Sequence, residues 1–228
     1  MSEFRQNIYA RPYLTAGEGN TSNTLDEIVD IVERVGCCTF GQLVDYINAY
    51  HAATPKMHTT HYFGPQEVYG MLNKIRSRVH IVEPGDVTIA KAKRLVYSTR
   101  YNNKMQIHKN EERYGIAKMA TIIPFLPHSR AVYDVASPLS FVFLTGNMQI
   151  EVAVIASGHE TTTCAVLDRM KVPKSVDRSK LLRIAIVKDE RAAANIIGGG
   201  FESVCIINEE NKLQQVRTIE KSYAWGDI

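Results

Sequence analysis

Apolar residues recur at helical spacing three times within the first eighty residues. Helices are predicted in TLDEIVDIVERVG from Thr24, in TFGQLVDYINAY from Thr39 and in GPQEVYGMLNKIRSRV from Gly64. Each segment carries an apolar stripe that one face of a helix would bury. Thr24 and Thr39 are each followed three residues later by Glu or Gln, which is the spacing of a capping box. Pro65 suits a first helical position, and Gly36 is placed to end the first helix.

Strand-forming residues follow the third helix. One possible hairpin turns at residues 83–86, and an equally compatible one turns near residues 91–94 with residues 95–98 as its return strand. Three helices followed by a β-hairpin is the order of a winged helix. We therefore expect a winged-helix DNA-binding domain over residues 24–103, preceded by an extended arm over residues 1–23.

The remainder of the chain mixes strands and helices. The pattern predicts, in order, a helix over 104–123 broken at Pro124, a short helical stretch over 129–136, a hairpin from Ser140–Leu144 to Gln149–Ala156, a helix in HETTTCAVLDRM, a strand in LLRIAIVKD, a helix in ERAAANII and a strand in SVCIIN. The run LLRIAIV is apolar enough to be buried on both faces. We expect an α+β protein whose second domain, 104–228, is α/β with a partly parallel sheet.

Composition places the chain among ordinary globular proteins. Of its 228 residues, 45% are hydrophobic and 22% are charged. No apolar run approaches the ~18 residues of a membrane span, and the first twenty residues have no signal-peptide core. We expect a cytoplasmic protein that does not associate with membranes.

Charge is concentrated in one segment. Residues 64–110 contain nine Lys or Arg and three Asp or Glu, whereas residues 1–63 contain four against seven and residues 111–228 contain 14 of each. A basic segment within a protein of net charge +3 is the pattern expected of nucleic-acid contact.

The third helix and the following hairpin supply the candidate DNA contacts. The predicted contact residues are Gln66, Tyr69, Asn73, Lys74, Arg76, Arg78, Lys91, Lys93 and Arg94. Gln and Asn can pair with adenine edges, and Lys and Arg can pair with guanine or phosphate. A solvated helix face is the alternative interpretation, but it does not account for the clustering. The expected partner is double-stranded DNA, bound by a homodimer because one winged helix covers a short site.

Two other groups of residues suggest chemistry less specifically. Cys37 or Cys38 with His51, His58 and His61 could form a zinc site, although their spacing matches no known ligand pattern, and buried thiols with loop histidines are the preferred interpretation. Residues 198–200 form a triple glycine. It follows a helix and precedes a strand, which is the reverse of a phosphate loop and suits a helix C-cap.

The hairpin SPLSFVFLTGNMQIEVAVIASG has the outline of a metal-dependent nuclease hairpin. Such a site needs two acids to hold Mg²⁺ and usually a lysine, but Leu139 and Ala153 stand at two of those positions. We expect Glu151 to be a polar residue at a sheet edge or rim. A migrated site of Glu151, Glu160 and Asp134 is the rival hypothesis. We predict no catalytic or metal-binding residues, no cofactor and no small-molecule substrate.

The order winged helix, helical linker and SPLSFVFLTGNMQIEVAVIASGHE resembles the replication-relaxation family of plasmid and mobile-element proteins. Members pair a winged helix with a domain similar to restriction-endonuclease folds. Pro138, Glu151 and Glu160 stand at comparable places, whereas Leu139 and Ala153 replace the ionisable residues. The resemblance covers about residues 24–210. It implies DNA binding for a mobile element, with a degenerate nuclease-like second domain used for docking or dimerisation. A protein-interaction adaptor is a third alternative.

Overall fold

The computed structural model is α+β, as the sequence predicts, with six α-helices and two β-sheets in the part of the chain that it describes. The described residues are 23–55, 61–82, 94–98, 109–129, 131–146, 148–170 and 178–219. They form two compact units. The first contains residues up to Val132 together with 208–212, and the second contains 133–207 and 213–219.

The first unit begins with a helix, a strand, two helices and two strands. These elements are α1 (Thr24–Val35), β1 (Cys37–Thr39), α2 (Phe40–Ala53), α3 (Pro65–Lys74), β2 (Val79–Val82) and β3 (Leu95–Ser98). In its antiparallel sheet, β3 lies between β1 and β2. All three predicted helices are confirmed, and the strand predicted at 95–98 is present. The residues between β2 and Arg94, which include both predicted hairpin turns, lie outside the described part of the chain.

Helix starts follow the predicted capping logic with one correction. The Thr39 hydroxyl accepts from the Gln42 N–H, and the Gln42 side chain accepts from the Thr39 N–H, both at 3.1 Å. In α1, however, the cap is Asn23, whose Oδ1 accepts from the Leu25 N–H at 3.0 Å. Thr24 is already the first helical residue, because the asparagine before it is at least as good a cap.

Helix α4 (Lys109–Phe125) completes the first unit. It crosses β1 at Gly115, where an added Cβ would clash with the Cys37 carbonyl oxygen and lie 2.8 Å from that of Val35. The Tyr97 hydroxyl also donates to Glu112 Oε1 at 2.5 Å. These contacts join α4 to the first unit, and the two compact units divide after Val132.

The sequence predicts that α4 ends at residue 123, before Pro124, but the helix runs two residues further. The helix includes Pro124, ends at Phe125 and continues as a 3-10 turn over Leu126–His128. Pro124 lacks the N–H that would donate to the carbonyl four residues earlier, and the helix ends at the next residue.

The second unit is built on a six-stranded sheet. Its elements are β4 (Ala131–Asp134), β5 (Phe141–Thr145), β6 (Met148–Val154), α5 (Glu160–Arg169), β7 (Leu181–Val187), α6 (Glu190–Ala194), β8 (Ser203–Ile207) and β9 (Leu213–Thr218). The strands lie in sequence order across the sheet. The β6–β7 and β7–β8 pairs are parallel, with α5 and α6 as their crossovers, and the β5–β6 and β8–β9 pairs are antiparallel hairpins. This arrangement confirms the partly parallel sheet.

Both edge strands of this sheet depart from the sequence prediction. The stretch predicted as helical over 129–136 contains strand β4 (Ala131–Asp134) instead, because sheet pairing and burial of Val132 outweigh a weak local preference. Strand β9 was not predicted. Its sequence LQQVRT is mostly polar, and Asn208 organises the preceding turn by accepting from the Glu210 and Lys212 N–H groups.

The core of the second unit packs the two crossover helices onto the sheet. Its members include Leu139, Val142, Ala153, Ala185 and Val204 from the sheet side and Cys164, Leu167, Ala192 and Ala193 from the helices. Residues Ile184 to Val187 are all buried, which confirms the prediction that β7 is covered on both faces.

Candidate nucleic-acid interface

Helix α3 presents a polar face opposite a buried one. Val68 and Leu72 are completely buried, and Ile75 continues their stripe into the following turn. Gln66 and Asn73 are exposed, and Tyr69 lies between them on the same face, partly buried. Positions i, i+3 and i+7 fall on one side of a helix, so the predicted face exists as a continuous surface.

The start of α3 is fixed by hydrogen bonds from the preceding loop. The Asn48 carboxamide on α2 accepts from the Phe63 N–H at 2.8 Å and donates to the Phe63 carbonyl at 3.0 Å. Glu67 accepts from the Gly64 N–H at 2.9 Å and from His61 at 3.1 Å, and these two bonds lower its pKa. The long connection before α3 is thus tied down at its C-terminal end, a role of Asn48 that sequence reasoning missed.

Arg94 lies beside α3 through an aromatic contact. Its guanidinium carbon is 4.9 Å from the centre of the Tyr69 ring, and the Tyr69 ring meets Phe40 edge-on at 6.4 Å. The Arg94 carbonyl also accepts from the Phe40 N–H at 2.9 Å. A cation over an aromatic face is stabilised by the ring quadrupole. The start of β3 is therefore held against α2 and α3, with its positive charge next to the polar face.

The remaining cations of this region differ in how they are engaged. Arg78 Nη1 pairs with Asp26 on α1 at 3.0 Å, and both side chains are more than half exposed. Arg76 Nε donates to the neutral side chain of Asn73, at 2.9 Å from Oδ1. Unlike Arg78, neither Arg76 nor Lys74 forms an ion pair within the described residues. An exposed ion pair contributes little, so Arg78 can exchange its partner for a phosphate at small cost.

The structure thus groups seven of the nine predicted DNA-contact residues in one region and leaves two undescribed. Lys91 and Lys93 lie outside the described residues. The seven are Gln66, Tyr69, Asn73, Lys74, Arg76, Arg78 and Arg94, which lie on α3, in the turn after it or at the start of β3. Exposed amides and guanidinium groups on one helix face can donate to base edges, and the flanking cations can neutralise phosphates.

Comparison with known proteins adds no assignment to this geometry. The sequence matches no family model, and none of the curated proteins shows significant similarity to it.

The residues of the zinc hypothesis have other roles where they are described. His51 Nε2 lies 2.9 Å from Glu27 Oε2 in the interior, and His61 lies against Glu67. Cys37 and Cys38 are buried thiols in β1, where burial raises the pKa of Cys38 to about 12 and raises that of Cys37 as well. Buried thiols in apolar surroundings of this kind are typically structural. His58 lies outside the described residues.

Glu151 lies on a central strand, so its predicted place at a sheet edge or rim is wrong. It is 5% exposed, and its Oε2 accepts from Arg183 Nε at 2.6 Å across the β6–β7 pair. Its Oε1 accepts from Gln149 Nε2 at 2.9 Å. Leu139 and Ala153 belong to the apolar core. Glu151 is therefore paired with a guanidinium, and the positions of Leu139 and Ala153 are part of the core.

The triple glycine supports the Glu151–Arg183 pair rather than forming an anion-binding site. Gly198, Gly199 and Gly200 all have positive φ, which side chains with a Cβ rarely adopt. The Gly199 carbonyl accepts from Arg183 Nη1 at 2.9 Å, and its N–H donates to Asp168 Oδ1 at 2.7 Å. The glycines follow α6 and precede β8, as predicted.

The described residues contain neither a candidate metal-binding group nor a candidate membrane-spanning helix. No group of three or more His, Cys, Asp or Glu side chains there could hold a metal ion, including any group around Glu151, Glu160 and Asp134. No described helix is both long and apolar enough to cross a membrane.

Proposed function

We propose that the protein binds double-stranded DNA and that α3 is its recognition helix. The observation that carries the proposal is the exposed face of Gln66, Tyr69 and Asn73, flanked by Lys74, Arg76 and Arg94. A helix of this kind fits the major groove, where amide and guanidinium groups can pair with base edges.

The surrounding elements support a winged-helix interpretation of the first unit. The order helix, strand, two helices and two strands, with a three-stranded antiparallel sheet, corresponds to that of a winged helix. In this proposal Lys91 and Lys93, which precede β3 in the sequence, contact phosphate. The basic charge of residues 64–110 accords with that role.

The second unit is proposed to serve assembly. Its resemblance to a degenerate restriction-endonuclease-like domain, together with the Glu151–Arg183 pair at the expected metal position, favours a retained frame without catalysis. We propose that it holds a cytoplasmic homodimer, and that the protein acts in replication, transfer or transcription control of a plasmid or integrative element. The sequence resemblance is the only support for that biological setting.

A gel-shift titration with random-sequence duplex tests the proposal, with and without Mg²⁺ and with DNA integrity read from the same samples. We expect a shifted duplex that stays intact under both conditions and that releases as salt rises. Cleavage that requires Mg²⁺ and is lost in a Glu151→Ala variant whose circular dichroism stays native would instead favour the nuclease. Absence of any shift at low salt would reject DNA binding and favour the protein-interaction adaptor.

A further inference from the structure

Asn73 and Arg76 form a hydrogen-bonded pair at the end of the polar face. Asn73 is the penultimate residue of α3 and is exposed, and Arg76 lies in the turn that follows the helix. Arg76 Nε donates to Asn73 Oδ1 at 2.9 Å, and both side chains are exposed. This bond orients a side chain that would otherwise sample many rotamers in solvent.

The bond occupies one edge of the guanidinium and leaves another. With Nε engaged, the two terminal nitrogens of Arg76 still carry N–H groups that point away from the Asn73 contact. Two parallel donors match the N7 and O6 acceptors of guanine in the major groove, which is the commonest specific contact made by arginine.

The other two arginines of this surface are engaged differently. Arg78 pairs with Asp26, and Arg94 lies over Tyr69. Both arrangements suit contacts with the phosphate backbone beside the groove. Arg76, by contrast, donates from its Nε to an amide oxygen on the recognition face itself.

On the basis of the proposed DNA binding, we infer that Arg76 reads a guanine and that Asn73 is a positioning residue for it. This differs from the adenine contact that the sequence suggests for Asn73. One of the two lone pairs of the Asn73 oxygen is already used by Arg76, which favours the positioning role over a bidentate adenine contact. The preferred DNA sites therefore contain a guanine whose recognition depends on both side chains.

The test uses the full chain and duplex sites selected from a random library. Each guanine in a selected site is replaced in turn by 7-deazaguanine, which pairs normally but lacks the N7 acceptor, and affinity is measured by fluorescence anisotropy. At one guanine we expect a loss of about 10-fold for the native protein and no loss for Arg76→Ala.

Variants of Asn73 separate positioning from direct reading. Asn73→Ala should reduce the 7-deazaguanine penalty, whereas Asn73→Asp should retain it, since a carboxylate still accepts from Arg76 but cannot donate to adenine. Arg78→Ala is the matched control. It should weaken binding to all sites alike and leave the penalty at the guanine unchanged. Circular dichroism should show native folding for each variant, because all three side chains are exposed.

The results that would overturn the roles of Arg76 and Asn73 are distinct from the result that would overturn DNA binding. Selected sites that bind tightly but show no guanine dependence, or a penalty that persists in Arg76→Ala, would overturn this inference and leave DNA binding intact. An adenine preference that disappears in Asn73→Asp would overturn it in favour of direct reading by Asn73. Failure to bind any duplex would overturn the inference together with the proposed function.

Discussion

Glu151 and Arg183 form a buried ion pair, and Arg183 occupies the carboxylate that a nuclease would use to hold a metal ion. They face each other in the parallel β6–β7 register and are 5% and 7% exposed. The Arg183 backbone N–H also donates to Glu202 at 2.6 Å, and its side chain donates to Gly199. A buried pair with this many partners has a structural role, because its charges are satisfied within the protein.

Removal of one member should destabilise the second unit strongly. Glu151→Ala leaves the Arg183 guanidinium buried without its carboxylate, so we expect the free energy of unfolding to fall by roughly 3–5 kcal/mol. Urea unfolding followed by circular dichroism measures this change. The double variant Glu151→Leu with Arg183→Met is the control, and it should recover most of the loss because no unpaired charge remains. A stable single variant would show that the pair is dispensable and would reopen a chemical role for Glu151.

At the scale of elements, the packing of α4 on β1 depends on one glycine. Gly115 lets the helix backbone approach the Cys37 and Val35 carbonyl oxygens so closely that no Cβ fits between them. Gly41, at the second position of α2, is the opposite case, because an added Cβ there meets nothing within 4 Å.

The two glycines provide a matched comparison. Gly115→Ala should lower the free energy of unfolding by about 1–3 kcal/mol or more, since the backbone must move to accommodate the methyl group. Gly41→Ala should be neutral or stabilising by up to ~1 kcal/mol, because alanine is the better helix former. Thermal unfolding of both variants measures the difference. Equal stabilities would contradict the close approach of α4 to β1.

The elements also show what local sequence can predict. In helices α1 to α3, the apolar stripe and the residues typical of a helix start are local sequence signals, so these helices were predictable. Strand β7 was predictable because it is a continuous apolar run. Strand β4 has four residues and exists through pairing with its neighbour, which no local pattern reveals. Polar β9 has little strand signal of its own, although the Asn208 turn before it gave a cue.

The candidate site was predictable in composition but not in pairing. The polar face of α3 follows from helical spacing alone. The contacts of Tyr69 with Arg94 and of Arg78 with Asp26 join residues 25 and 52 positions apart, and sequence offers no rule for such pairs. The same holds for Glu151, whose partner lies 32 residues further along the chain.

For the whole molecule, the proposal that two copies act together makes a direct prediction about mass. A single recognition helix covers a short site, and specific binding usually joins two half-sites. Light scattering of the full chain at micromolar concentration should therefore give twice the 25.6 kDa chain mass. A single-chain mass under those conditions would remove the assembly role proposed for the second unit and favour the adaptor alternative.

We propose above all that the cations around α3 and β3 contact DNA phosphates. The most direct test of these contacts is the salt dependence of duplex binding, measured by anisotropy for the native chain and for a triple variant in which Lys91, Lys93 and Arg94 become Ala. Each lost phosphate contact should reduce the slope of log K against log salt by about 0.9, so the triple variant should lose up to about 2.7 from the slope and bind all sequences more weakly. A charge-matched control in the second unit, with Arg169, Lys188 and Arg191 replaced by Ala, should keep the native slope because these exposed residues lie outside the proposed interface. An unchanged slope in the first variant, or an equal loss in both, would contradict the account.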